Sequence, residues 1–133
     1  MNSRTVLVAA FISVLLGQSF AHGQHETERF IPIGQSPGAS GKATRIGTVY
    51  AVDPRTHSFE LVTPEGRYQV SVPERTPIWL DRSRQKRMAL TGGFQDLQAG
   101  RRVEVKYEDA ERARRVDWIK IEIADGTPTA PSP

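Results

Sequence analysis

No cysteine occurs in the 133 residues. That removes disulfides, thiolate nucleophiles and cysteine-based metal sites together, so the fold must be held by packing alone. Histidine is scarce as well: His22, His25 and His57 are the three in the chain. Nucleophilic catalysis by serine or threonine needs a base and an orienting acid. Only His57 falls within the region that reads as folded, at a junction of turn and strand where a surface histidine is expected. Two carboxylate pairs, Glu108 with Asp109 and Glu104 with Glu122, have the composition of an acid and a base. Strand alternation puts Glu104 on a solvated face, however, and sends Glu108 and Asp109 in opposed directions, so both pairs read as surface groups. A phosphate-cradling glycine loop is lacking too, since Gly92 and Gly93 form a hinge with nothing around them to bind phosphate. These absences together exclude the common catalytic chemistries and any cofactor, and the chain reads as a non-enzyme.

Charge of one sign is not in excess either. Lys and Arg number 18 against 15 Asp and Glu, a weak balance for a polyanion partner, and nucleic acid is not expected. Long apolar runs are confined to one place. Arg4 precedes an apolar run over residues 5–16, too short to cross a bilayer, and Ser19 and Ala21 frame a small-residue cleavage site. Residues 1–21 therefore read as a signal peptide, and the mature protein is expected to be periplasmic or secreted, with no transmembrane segment after cleavage. Removing Arg4 leaves 17 basic against 15 acidic residues, a net charge of +2. Cleavage after Ala21 would make His22 the first residue. Its amine and imidazole, with His25 three residues on, form a nitrogen set suited to Cu²⁺, and periplasmic copper handling is the alternative function this end of the chain suggests.

Residues 22–44 are rich in Gly, Ser, Gln and Pro and read as a flexible arm whose apolar group, 30–33, docks on the domain or on a partner. Residues 124–133 are a Pro/Thr-rich tail. Between them, 45–123 form a single domain near the lower size limit for a self-sufficient core, for which barrel closure is an economical solution.

Within the domain, turn signals recur at all-β spacing. The segment 45–52 (RIGTVYAV) is a long first strand bent at Gly47. Asp53 and Pro54 open a type I turn. Residues 57–63 and 67–72 are the next two strands, turning at Gly66, with Phe59, Leu61, Tyr68, Val70 and Val72 inward. Residues 77–80 (PIWL) are short enough for an edge strand. A helical turn over 95–99 ends at Gly100 and hands over to the strand 102–108, where Val103, Val105 and Tyr107 face a core and Arg102, Glu104, Lys106 and Glu108 face water. Residues 109–114 read as an exposed connection. In the last strand, 115–123, Val116 and Trp118 share one phase and Ile119, Ile121 and Ile123 the other, which a one-residue bulge near Trp118 would reconcile by turning both sets inward.

The succession IGTV from Ile46, Val52 with Asp53, FEL from Phe59, VSV from Val70, TPI from Thr76, FQDL from Phe94, GRRVEV from Gly100 and IKI from Ile119 resembles the DUF5666 family of small exported bacterial domains. The likeness covers about 45–123. It implies an all-β, OB-like antiparallel barrel of five to six strands with one short helical turn, and it implies no established activity or site residues. Lys106 and Tyr107 stand where the family often has glycine, and the loop 82–87 is more basic than expected of it. That loop carries Arg82, Arg84, Lys86 and Arg87 beside Trp79. OB barrels bind oligonucleotides and oligosaccharides through loop-rimmed strand faces, so these five residues are the candidate ligand site. The expected partner is an anionic glycan or lipid, or a protein of the cell envelope.

Overall fold

The computed structural model describes residues 32–36, 38 and 40–124; the signal-peptide segment, His22, His25 and the Pro/Thr-rich tail lie outside them. Among the described residues, seven strands form one mixed sheet: β1 (Thr44–Asp53), β2 (Ser58–Thr63), β3 (Gly66–Ser71), β4 (Ile78–Asp81), β5 (Leu90–Thr91), β6 (Arg102–Tyr107) and β7 (Val116–Glu122). Their order is β3-β2-β1-β6-β7-β4-β5. All neighbours are antiparallel except β4 and β7, which run parallel with Ile78 opposite Ile119. The all-β class stands, whereas the strands number seven and one pairing is parallel. Two 3₁₀ turns are present, over Ser83–Gln85 and Phe94–Asp96.

The three-stranded meander follows from its turns. Asp53 Oδ1 accepts the backbone N–H of Arg55 at 2.9 Å, an Asx turn that reverses the chain after β1. Gly66 has φ +148°, and β2 and β3 then pair residue for residue from Thr63–Gly66 to Ser58–Ser71. Gly47 has a packing reason: a Cβ there would collide with the backbone carbonyl of Val62. The first strand can thus pass close under β2 only with a bare Cα.

One hydrophobic cluster contains Val70 of β3 together with Ile78 and Leu80 of β4. These strands are far apart in the sheet order, so the cluster runs across the whole sheet, which curls over this buried face while its end strands, β3 and β5, stay unpaired on their outer sides among the described residues. Val49, Phe59, Leu61, Val70, Val103, Val105 and Ile119, the expected core, are all buried. Leu97 is driven into the same cluster by the second 3₁₀ turn. That turn covers Phe94–Asp96, earlier than the expected 95–99, and Gly100 at φ +90° makes the reversal into β6. Arg101, buried behind the turn, donates from Nη1 to the Asp96 carbonyl at 2.9 Å and ties turn to strand.

Three expectations are corrected. The strand at 78–81 is not an edge: β4 lies between β7 and the two-residue β5, which occupies the edge. The bulge in β7 exists, but it divides the two side-chain sets. Lys106 pairs with Trp118 and Tyr107 with Val116, leaving Asp117 as the extra residue. Val116 thereby joins the core with Ile119, Ile121 and Ile123, while Trp118 stands on the opposite face, buried outside that cluster.

The third correction concerns Glu104. Alternation does place it on the outer face, yet it is fully buried, as is Lys120 directly across the β6–β7 ladder. The cover comes from Ile33, Gly34, Ser36 and Ser40, in the stretch that the composition assigns to a flexible arm. Gly34 donates its N–H to Glu104 Oε2 at 2.8 Å and Ser40 Oγ donates to Oε1 at 2.6 Å. Lys120 Nζ donates to Ser36 Oγ at 2.7 Å. Ile33 is buried, and its N–H donates to Asp81 Oδ2 at 3.1 Å. The arm is thus a strap whose polar atoms meet three buried charges on the sheet, Glu104, Lys120 and Asp81, and such pairing is how buried charges are tolerated. Trp79, across from Lys120 on β4, and Trp118, two residues before it on β7, stand on this same covered face. Nζ of Lys120 lies 5.1 Å from the Trp118 ring centroid.

Candidate basic cleft and its surroundings

The residues after β4 are organised by Asp81. Its Oδ1 accepts the N–H of Ser83 at 2.8 Å while Oδ2 holds the strap at Ile33. One buried carboxylate therefore fixes both the strap and the start of the basic loop. Lys86 adopts the left-handed conformation at φ +54° and closes the 3₁₀ turn with its N–H on the Ser83 carbonyl at 2.9 Å. Arg82 donates from Nε to the Met88 carbonyl at 2.9 Å, so the loop is clasped by one of its own cations.

The sequence-derived site residues separate in space. Trp79 is not an exposed aromatic beside the cations: it is 8% exposed, buried on the strap-covered face. Arg82 is half-buried in the loop clasp, and Lys86 and Arg87 are exposed at its tip. Arg84 turns to Glu122 of β7, Nε to Oε1 at 3.4 Å. Arg102 of β6, which sequence reasoning placed on a solvated face without a role, reaches the other oxygen of Glu122 at 3.2 Å. Its position was implicit in the alternation of β6, but its convergence with Arg84 depends on the β6–β7 register.

Between strap and loop lies a cleft of about 320 Å³ lined by Pro32, Ile33, Gln35, Ser83, Arg84, Arg102 and Glu122. Its lining carries two cations, Arg84 and Arg102, against one carboxylate, Glu122, and Asp81, Arg82, Lys86 and Arg87 lie in the adjoining strand end and loop. Asp81 is occupied by backbone N–H groups, and Glu122 is shared between two guanidiniums. The local field is positive although the chain as a whole is nearly balanced. Exposed Met88 and Leu90 follow the cations in the chain.

Two other groups of cations are paired or stacked. Arg45 lies over the Tyr68 ring at 3.8 Å and the Tyr107 ring at 5.2 Å, filling the end of the curled face between β3 and β6. Arg67 stacks on exposed Tyr50 at 4.4 Å. Its hydrogen bond to Glu60, with the attraction between the two charges, raises its pKa above the usual arginine value. Arg67 was already charged at every physiological pH, so the shift confers no switch.

His22 and His25, the copper candidates, lie outside the described residues, among which no group of three or more His, Asp or Glu stands close enough to hold a metal ion. No helix of the described residues is long and apolar enough to cross a membrane. Comparison with protein-family descriptions, with curated proteins and with solved structures finds no significant match.

Proposed function

We propose that the chain is a non-catalytic, exported binding module whose basic cleft holds an anionic ligand of the cell envelope: a glycan or lipid phosphate, or an acidic protein surface. The observation that carries this reading is the convergence of Arg84 and Arg102 on the single carboxylate of Glu122, with Lys86 and Arg87 exposed beside them. An arriving phosphate or carboxylate can take over one arm of that shared contact, and arginine is suited to do so in bidentate fashion. Both arginines are exposed while Glu122 is 14% exposed, so a ligand that takes over one arm leaves the carboxylate held by the other guanidinium.

The topology supports an OB-like reading of the sheet. The first strand pairs on both sides, with β2 and with β6, and β4 runs parallel to β7. Residues 72–77 alone separate β3 from β4, with Pro73 and Pro77 in the interval. We read β3 and β4 as one strand broken by these prolines, so that the chain itself bridges the gap in the curled sheet. Small exported domains resembling DUF5666 would share this plan, and OB-like barrels present ligand sites on loop-rimmed faces. Periplasmic or secreted localisation rests on the signal-like segment 1–21. Copper handling rests on His22 and His25 alone.

Binding to vesicles containing anionic lipid and to an array of anionic glycans tests the proposal. Affinity should fall steeply with added salt, and should fall again when Arg84, Lys86 and Arg87 are changed together to Ser while the melting temperature stays within a degree or two, roughly what surface changes allow. Binding indifferent to salt or to the triple change would reduce the loop to a solvated connection.

A further inference from the structure

A second pocket lies at the other end of β4, where Ile78 rather than Asp81 is the contributing residue. It has a volume of about 390 Å³ and is bordered by His57, Glu74, Thr76, Ile78, Phe94 and Gln95, among others. That volume lies within the roughly 300–1,000 Å³ of small-molecule sites. Three independent features mark it. First, His57 is held at φ +52°, a left-handed conformation uncommon for a residue with a Cβ, and such backbone strain gathers at ligand sites.

Second, the imidazole is fixed on two sides. Its ring stacks on Phe94 with centroids 4.0 Å apart. Nδ1 lies 2.6 Å from the Val72 carbonyl oxygen, which can only accept, so Nδ1 carries the proton and Nε2 is the atom left for another partner. Third, the hydroxyl of Thr76 is buried and meets no hydrogen-bond partner among the described residues. A buried polar atom in that condition is costly unless something pairs with it.

We propose that this pocket binds an uncharged, polyhydroxylated ligand of the size of one sugar ring. With its Nδ1 proton on the Val72 carbonyl the imidazole offers Nε2, the Glu74 carboxylate offers acceptors at the rim, Gln95 can both accept and donate, and the buried Thr76 hydroxyl can do so after rotation about its Cα–Cβ bond. A ligand matching that set must bring several donors and some acceptors close together, which is the pattern of adjacent hydroxyl groups. Glu74 disfavours an anion here, so the pocket and the basic cleft differ in ligand class. Val72, Ile78 and Pro73 give apolar walls for the C–H faces of such a ring.

The test follows the His57 ring nitrogens by NMR in the full chain while glucose, galactose and mannose are titrated in turn, with ethanolamine and inorganic phosphate as probes of the other charge types. At least one sugar should shift the Nε2 resonance saturably. Thr76→Val, which removes the unpartnered hydroxyl, should leave the melting temperature equal or higher and weaken that sugar by roughly threefold to tenfold. His57→Asn, a residue tolerant of positive φ, should keep the fold and abolish the response in the neighbouring backbone signals. No shift with any of the three sugars, a response to ethanolamine or phosphate alone, or sugar binding unchanged in Thr76→Val would overturn the assignment.

Discussion

Two side chains decide whether the outer face of the sheet is wet or dry. Glu104 and Lys120 face each other across β6 and β7 with no exposed surface, and the strap supplies their remaining partners. Glu104→Ala leaves Gly34 N–H and Ser40 Oγ without their acceptor and removes the opposite charge across the ladder from buried Lys120, and should cost about 3–5 kcal/mol in urea unfolding. Glu104→Met combined with Lys120→Met should lose less than the sum of the single changes, by roughly 1–3 kcal/mol. Additive losses would mean that the two charges do not act as a unit. Period-2 alternation located Glu104 on the outer face correctly and could say no more, because its burial depends on a segment some seventy residues away whose composition is that of a loop. Gly47 illustrates the opposite case. Its place near the start of a long strand was legible as a bend, and the near approach of the Val62 carbonyl gives the reason. Gly47→Ala should destabilise by roughly 2–3 kcal/mol, seen as a lower melting temperature with the sheet retained.

Among the elements, the strands of the meander and β6 could be read almost to the residue, since each is half-buried and flanked by turn residues with a mechanism. Val105, on the core face of β6, is fully buried, and Val105→Asp should cost several kcal/mol, on the order of 3–5, by placing an unpaired charge in the core. A variant melting like the parent would remove that face of β6 from the core. The less legible elements are those whose neighbours are distant in sequence. The segment IWLD is apolar on both sides because β4 is interior, with Ile78 and Leu80 in the core and Trp79 on the covered face. Its short length suggested an edge, and nothing local reveals a parallel partner forty residues later. The same ambiguity made Trp79 look like a ligand-stacking aromatic. The bulge at Asp117 was visible as a phase change, but only the pairing of Val116 with Tyr107 settles which set turns inward. The basic loop was found from its charges alone, whereas Arg102 and Glu122 entered the cleft through register.

At the scale of the whole molecule, the chain has one core within the curled sheet and a second, thinner layer beneath the strap, and the two should come apart separately. Both tryptophans of the chain stand in the thin layer, so their emission reports on it directly. Ile33 anchors that layer: its side chain is buried and its N–H rests on Asp81. Burial of such a side chain contributes about 1.5–3 kcal/mol, and Ile33→Asp would instead set a second carboxylate beside Asp81. The strap of that variant should lift while the core, whose members all lie on the opposite face, keeps its packing. The expected result is a tryptophan emission shifted to longer wavelength well below the melting temperature, with the far-ultraviolet circular dichroism of the sheet retained and the Ser36 and Ser40 amides losing protection from hydrogen exchange. A single transition in which emission and sheet signal are lost together, with no shift beforehand, would make the strap an inseparable part of the core.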